Sequence, residues 1–279
     1  VHLDPLLFCA AVALVASACI IVLLRVRGEL SLLFDRRFRG RLFLMSMTGT
    51  VLTSLTVTEG LTRISAIAGV LLLQSEPIYS ILLATVFVGE RPSARQLLAT
   101  ATILIGIGSV FGGGAFGPLW AAALVFATPL FWQISHVLGL RLMPPLGPAT
   151  IAGGRFIYAT IVLFALLLAA RPATLAQLAD VRALGVIAVT GTFVYFLSAL
   201  TWYGAINRLS LAWTTALVIP SVPLLSIVFS VLFLSERATA RELAGIVIAI
   251  AGVIWLVLGT DAHRHRPVEI LEAVHEPLN

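Results

Sequence analysis

The chain has 279 residues, of which 59% are apolar and only 11% charged, and its mean hydropathy is +1.05. A soluble domain carries about 25% charged residues, so this composition excludes an ordinary water-soluble enzyme or binding module and places the chain in lipid. The formal charge of +5 rests on 18 basic residues, all of them arginines set between apolar runs. That distribution argues for topology-setting charge at membrane surfaces and against a nucleic-acid-binding face.

Long apolar runs without two-residue alternation predict helices rather than strands, and a membrane crossing takes about 20 apolar residues. Nine segments qualify in chain order: 5–24, 42–58, 64–88, 94–111, 118–140, 148–170, 183–203, 209–234 and 241–259. The first holds both cysteines, Cys9 and Cys19, which lie about 15 Å apart along a helix and cannot pair. The loop 25–41 and the tail 260–279 are the sizeable polar pieces, and neither could bury a core. With the N-terminus outside, twelve arginines fall in inner loops: Arg25, Arg27, Arg36, Arg37, Arg39, Arg41, Arg91, Arg95, Arg141, Arg208, Arg264 and Arg266. Five fall in outer loops: Arg63, Arg171, Arg182, Arg237 and Arg241. The positive-inside rule then predicts an N-out, C-in arrangement with a cytoplasmic tail.

An internal repeat is the strongest pattern in the chain. Residues 72–111 align with 218–257 at a constant offset of 146, with identities at Ser75/Ser221, Pro77/Pro223, Ser80/Ser226, Phe87/Phe233, Glu90/Glu236, Arg91/Arg237, Arg95/Arg241, Leu97/Leu243 and Gly106/Gly252. Apolar bias alone cannot produce a shared ER-x3-R with a proline thirteen residues upstream of its Glu. Five spans separate the loop of Glu90 from that of Glu236, and five is odd. Equivalent loops are therefore predicted on opposite faces, which makes the repeats inverted, as in many secondary transporters.

The stretches EPIYSILLATVFVGERPSARQLLATATILIGIG and VPLLSIVFSVLFLSERATARELAGIVIAIAG share a small-residue helix, P-x(12)-ER, a short loop and a glycine-bearing helix. This pattern resembles the EamA-type members of the drug/metabolite transporter (DMT) superfamily. The resemblance implies ten helices in two inverted five-helix repeats, both termini cytoplasmic, and export or facilitated movement of amino acids and other small metabolites. The second half of this chain shows five spans and the first shows four. Residues 5–28 correspond to 148–171, the second helix of their repeat, so a further helix is expected before Val1. The expected division is 1–111 for the first repeat lacking its first helix, 118–259 for the second repeat, and 260–279 for the tail.

Within the spans, Glu76 is the sharpest candidate, because a mid-span acid needs compensation. It reads as a cavity carboxylate that binds substrate or a proton, with a buried acid bonded to a neighbouring helix as the alternative. Helical spacing puts Tyr79 and Ser80 on its face, and Pro77 removes a backbone donor beside it. Its repeat counterpart is Val222. Trp132, Gln133 and His136 form a polar-aromatic patch; Tyr195, Ser198 and Trp202 form another. Ser198 falls opposite Ser54 in the repeat, near Thr50 and Thr53. Arg155 reads as a snorkelling or structurally paired residue, with an anionic substrate as the alternative. The glycines Gly106, Gly108, Gly112, Gly245, Gly252 and Gly259 suit close helix approach. His263 and His265 make a poor metal site without further ligands, and no metal or cofactor motif is present.

These features predict an all-α multi-pass transporter, moving a small amino-acid-like or other small organic solute outward by alternating access. The expected location is a bacterial-type inner membrane, with the bilayer and a small molecule as partners and no nucleic acid. The expected substrate-binding residues are Ser54, Glu76, Tyr79, Ser80, Trp132, His136, Tyr195, Ser198 and Trp202, in a cavity lined by 42–58, 64–88, 118–140, 183–203 and 209–234. A non-transporting receptor or scaffold is the first alternative. A membrane-embedded enzyme is the second, and it lacks a recognisable nucleophile or metal cluster.

Overall fold

The computed structural model describes residues 3–83, 86, 92–109, 117–143, 145–208, 225, 229, 232–233 and 239–260. Among them the chain is helical, with no strand. The helices are α1 (Pro5–Arg27), α2 (Arg39–Ser46), α3 (Thr53–Leu61), α4 (Ala66–Leu73), α5 (Glu76–Leu83), α6 (Ala94–Gly108), α7 (Leu119–Leu142), α8 (Pro148–Ala170), α9 (Val181–Val189), α10 (Ser198–Arg208) and α11 (Ala240–Thr260). A π-helical segment, Met47–Leu52, joins α2 to α3, and another, Thr190–Leu197, joins α9 to α10. By length and composition, four helices among the described residues can cross a membrane: Pro5–Arg27, Leu119–Gly139, Pro148–Ala170 and Val181–Ala205. The expected spans 42–58, 64–88, 94–111 and 241–259 fall on α2–α3, α4–α5, α6 and α11. Most of 209–234, the loops of Glu90 and Glu236, Gly112 and the tail with its two histidines lie outside the described residues.

The helices form two compact units, the first built from α1–α3, α7 from Ala123 onward and α8–α10, and the second from α4–α6, the first four residues of α7 and α11. Each unit therefore draws on both halves of the sequence.

In the first unit, α1 and α8 pair along their whole length. Asp4 caps α1 by accepting from the N–H groups of Leu6 and Leu7, and Pro5 fits the first turn, where no donor is needed. The same carboxylate takes a 2.7 Å bond from Arg171, just past the end of α8. Midway, the hydroxyls of Ser17 and Thr160 meet at 2.8 Å. At the far end, Glu29 accepts from Thr150 at 2.7 Å. As the numbers on α1 rise, those on α8 fall, so the two helices run antiparallel. They are the repeat-equivalent pair 5–28 and 148–171, and Ser17 corresponds to Thr160 under that alignment. Two equivalent residues that touch each other must lie on the local two-fold axis relating their helices. Ile20, Leu24, Leu33, Leu42, Met45, Leu142, Ile151, Phe156 and Tyr203 close the apolar core around this pair.

The second unit repeats the arrangement with different helices. A Cβ added at Gly106 of α6 would lie 2.6 Å from the Ala249 nitrogen and the Gly245 oxygen of α11. A Cβ added at Gly252 of α11 would lie 2.9 Å from the Ile103 nitrogen and 3.0 Å from the Ala99 oxygen of α6. The 146-residue offset carries Gly106, Ala99 and Ile103 onto Gly252, Gly245 and Ala249, so each contact is the image of the other. This pair is antiparallel too. Both helices also start on the same device. Ser93 and Gln96 form a reciprocal capping box on α6, and Thr239 and Glu242, the equivalent positions, form one on α11. The two halves are thus inverted repeats.

Span 64–88 differs from a single helix. The chain breaks at Gln74 and Ser75, between α4 and α5. Pro77 has no N–H to give the carbonyl of Leu73, and α4 stops at that residue. Tighter bonds to the third residue back satisfy the break: Gln74 and Ser75 donate to Leu71 and Leu72 at 3.1 Å, and Ile78 donates to Ser75 at 2.9 Å.

Two outcomes follow. Gly106→Ala and Gly252→Ala should each destabilise the detergent-solubilised protein by about 1–3 kcal/mol through overpacking, read as a fall in Tm. Gly108→Ala meets nothing within 4 Å and should be neutral or stabilising. Equal behaviour of all three would contradict the close contact. Partial burial alone would raise the Asp4 carboxyl, but the bonds and charge of Arg171 and the α1 N–H groups outweigh it and hold the group below its ordinary value. The resulting stability is present above the unfolded carboxylate pKa of about 4 and lost as pH falls through the lower folded value. Asp4→Asn should therefore cost a few tenths of a kcal/mol to about 1 at pH 7, and the Tm gap from the parent should close under strong acid.

Candidate functional site

The polar residues of the first unit gather where the two π-helical segments lie. The alignment that sets Ser54 opposite Ser198 places Met47–Leu52 within Thr190–Leu197, so both repeats distort the same helix at the same place. A π turn spoils part of the regular hydrogen-bond ladder, and such turns recur at functional sites. Here the loosened backbone has identifiable partners. The Gly49 carbonyl accepts from the Thr53 hydroxyl at 2.8 Å and from the Arg155 guanidinium. The Met45 carbonyl accepts from Ser135 of α7 at 3.1 Å, and Ser46 donates to the Arg155 carbonyl at 2.7 Å. Glycine is needed at position 49, because any Cβ there would collide with the Ser135 side chain.

Arg155 sits about 10 Å along α8 from its first residue. A charge placed centrally in a membrane helix costs about 2.5–3.5 kcal/mol on insertion scales, so its surroundings must compensate it. Nε donates to Thr50 Oγ1 at 3.1 Å, and Nη2 donates to the Gly49 carbonyl. The side chain is therefore turned toward α2–α3 and does not snorkel. Among the described residues the one ion pair is Asp4–Arg171, and Arg155 has no carboxylate partner there.

Four of the expected residues of this unit form two contacting pairs. Ser54 and Tyr195, one from each distorted helix, share a 3.2 Å hydroxyl contact, and the Tyr195 ring packs on Phe156, next to Arg155. Cys9 adds a weak bond to the Ser54 carbonyl at 3.5 Å. His136 stacks on Trp202, with ring centroids 5.6 Å apart and planes 28° from parallel. Arg155 acts electrostatically on both His136 and Tyr195. Trp202 Nε1 and the Tyr203 hydroxyl are buried without a hydrogen-bond partner among the described residues. Trp132 is half-buried on α7. Ser198 is exposed, and its hydroxyl turns back to the Val194 carbonyl of its own helix.

The second unit holds the remaining candidates. Glu76 is the first residue of α5, directly after the break, and is half-buried, as is Tyr79. Gln74 at the break is buried, with its Oε1 lacking a partner among the described residues. Ser80 is helical, but its side chain lies outside the described residues. The structure thus pairs Ser54 with Tyr195 and His136 with Trp202 in one unit and places Glu76 and Tyr79 at a helix break in the other. Among the described residues, no three His, Cys, Asp or Glu side chains cluster as metal ligands would. Sequence reasoning gave little weight to Arg155 as a site residue, named Thr50 without linking it to Arg155, and missed Gly49 and Ser135. The usable signal was a lone arginine inside a span facing a Gly-Thr pair on the preceding repeat.

The first unit thus holds paired helix distortions beside a fixed, half-buried cation, and comparison with known proteins supplies the family. Residues 1–112 and 119–258 match the EamA-like transporter family. The chain belongs to that family. It resembles an uncharacterized transporter of Archaeoglobus fulgidus with 21% identity over 218 residues, 78% of this chain and 77% of the relative. A second uncharacterized transporter of the same organism is 25% identical over 182 residues, 65% of this chain and 63% of its own length. A solved crystal structure superposes with a TM-score of 0.66 at 15% identity, covering 94% of this chain and 91% of that one, which shows the fold. As an EamA-like protein the chain is a multi-pass membrane transporter of small molecules.

The Gly49–Ser135 contact is testable. Gly49→Ala should lower Tm by several degrees, and adding Ser135→Gly should recover much of the loss by removing the colliding atoms. No recovery in the double variant would show that the two positions are not in contact.

Proposed function

We infer that this EamA-like transporter carries small amino-acid-like or other small organic solutes outward across a bacterial-type inner membrane by alternating access. The observation that carries this reading is the antiparallel contact of repeat-equivalent helices, with Ser17 against Thr160 on a local two-fold. Two halves of opposite orientation can exchange roles, so that one conformation opens to each side of the membrane. The distorted helices and the break before Glu76 supply places where a span can bend without leaving backbone groups unpaired. In this reading the repeats run over 1–111 and 118–259, and the tail 260–279 is cytoplasmic. The residues proposed to bind the solute are Ser54, Glu76, Tyr79, Ser80, Trp132, His136, Tyr195, Ser198 and Trp202. It crosses chemically unchanged.

Proteoliposomes loaded with radiolabelled amino acids test the reading. The parent should release at least one amino acid faster than empty liposomes. Glu76→Gln keeps shape and hydrogen bonding but removes the titration, and it should change the rate or its pH dependence while leaving expression intact. Glu76→Val copies the other repeat and should slow transport of amino-group-bearing solutes at least tenfold. If both variants transport like the parent at every pH, Glu76 has only a structural role.

A further inference from the structure

We propose that Arg155 is the anchor for a substrate carboxylate, making the polar belt of the first unit a site for singly charged small organic acids, amino acids included. The proposal rests on the transporter reading above and narrows its substrate class. A guanidinium has five N–H donors. Nε is committed to Thr50 and one Nη2 donor to the Gly49 carbonyl, so three remain without a partner among the described residues. Trp202, whose ring stacks on His136, adds a buried indole N–H with no acceptor among the described residues.

The imbalance has a definite sign. Donors exceed acceptors, the fixed charge is positive, and no described carboxylate neutralises it. A half-buried cation and unused donors call for an acceptor carrying negative charge. A planar carboxylate matches the forked guanidinium in two parallel bonds. A single cation suits a monoanion. A doubly charged phosphate would remain undercompensated. The stacked pair of His136 and Trp202, within electrostatic reach of Arg155, offers a flat surface for an apolar or aromatic substituent on that acid. Arg155 is held rigidly for this role, since Thr50 and the Gly49 carbonyl fix two of its three nitrogens. Rigid placement spares the entropy that a free arginine would lose on binding.

The test uses the purified full chain in detergent, with sodium benzoate as probe, its neutral isostere benzamide, and inorganic phosphate. Benzoate should raise Tm in a saturable way beyond equimolar sodium chloride, while benzamide and phosphate should not. Arg155→Lys should weaken benzoate about tenfold or less, and Arg155→Gln should abolish the shift. Trp202→Phe, which keeps the stack and loses the N–H, should weaken it severalfold. The comparison on the parent needs no variant, so an Arg155→Gln protein that fails to fold leaves the test intact. No benzoate shift, an equal shift with benzamide or phosphate, or an unchanged shift in a folded Arg155→Gln overturns the proposal. Arg155-dependent benzoate binding without solute flux in proteoliposomes supports the site and overturns the export reading. Carboxylate flux that is indifferent to Arg155→Gln overturns the site alone.

Discussion

Helices in hydrocarbon gain little by burying leucine against leucine, because the lipid tails they leave are equally apolar. What joins them must be close backbone approach and hydrogen bonds, and the fold depends on where those occur. Gly106 and Gly252 let α6 and α11 touch at backbone distance. Ser17 and Thr160 bond across α1 and α8. Both contacts join helices that are copies of each other, so the same interactions that stabilise each unit also fix the inverted relation between the halves.

The same constraint explains where regularity is given up. Irregular backbone is tolerated in a bilayer only where protein groups or water satisfy it. The π turn at Met47–Leu52 is answered by Thr53 and Arg155, and the break at Gln74–Ser75 by bonds to the third residue back. A half-buried cation and a loosened carbonyl compensate each other at Gly49.

Much of this was legible in the sequence. Charge poverty and apolar run length dictate membrane helices, and the ER-x3-R repeat with its aligned proline dictates duplication. The odd number of intervening spans dictates inversion. The break in span 64–88 was half legible, since Pro77 marks a missing donor but not which carbonyl lets go. The π segments were not legible, because a one-residue distortion leaves the apolar pattern intact and is set by partners on other helices. For the same reason Arg155 could not be told from a snorkelling side chain: its direction depends on the space that Gly49 leaves beside Ser135. The capping boxes were readable in SARQ and TARE but add little to function. Ser198 shows the limit of repeat logic. It aligns with Ser54, yet its hydroxyl returns to its own helix while Ser54 reaches Tyr195.

Inversion of the two halves is the claim on which the transport account stands, and its direct test is the sidedness of equivalent positions. Ala94 and Ala240 open α6 and α11, occupy equivalent places in the two repeats and are exposed. Single cysteines there, in a protein with Cys9 and Cys19 replaced by alanine, can be labelled in sealed right-side-out vesicles with a membrane-impermeant maleimide. The account predicts that one position reacts at once and the other only after the membrane is permeabilised. Labelling of both from the same side would contradict it.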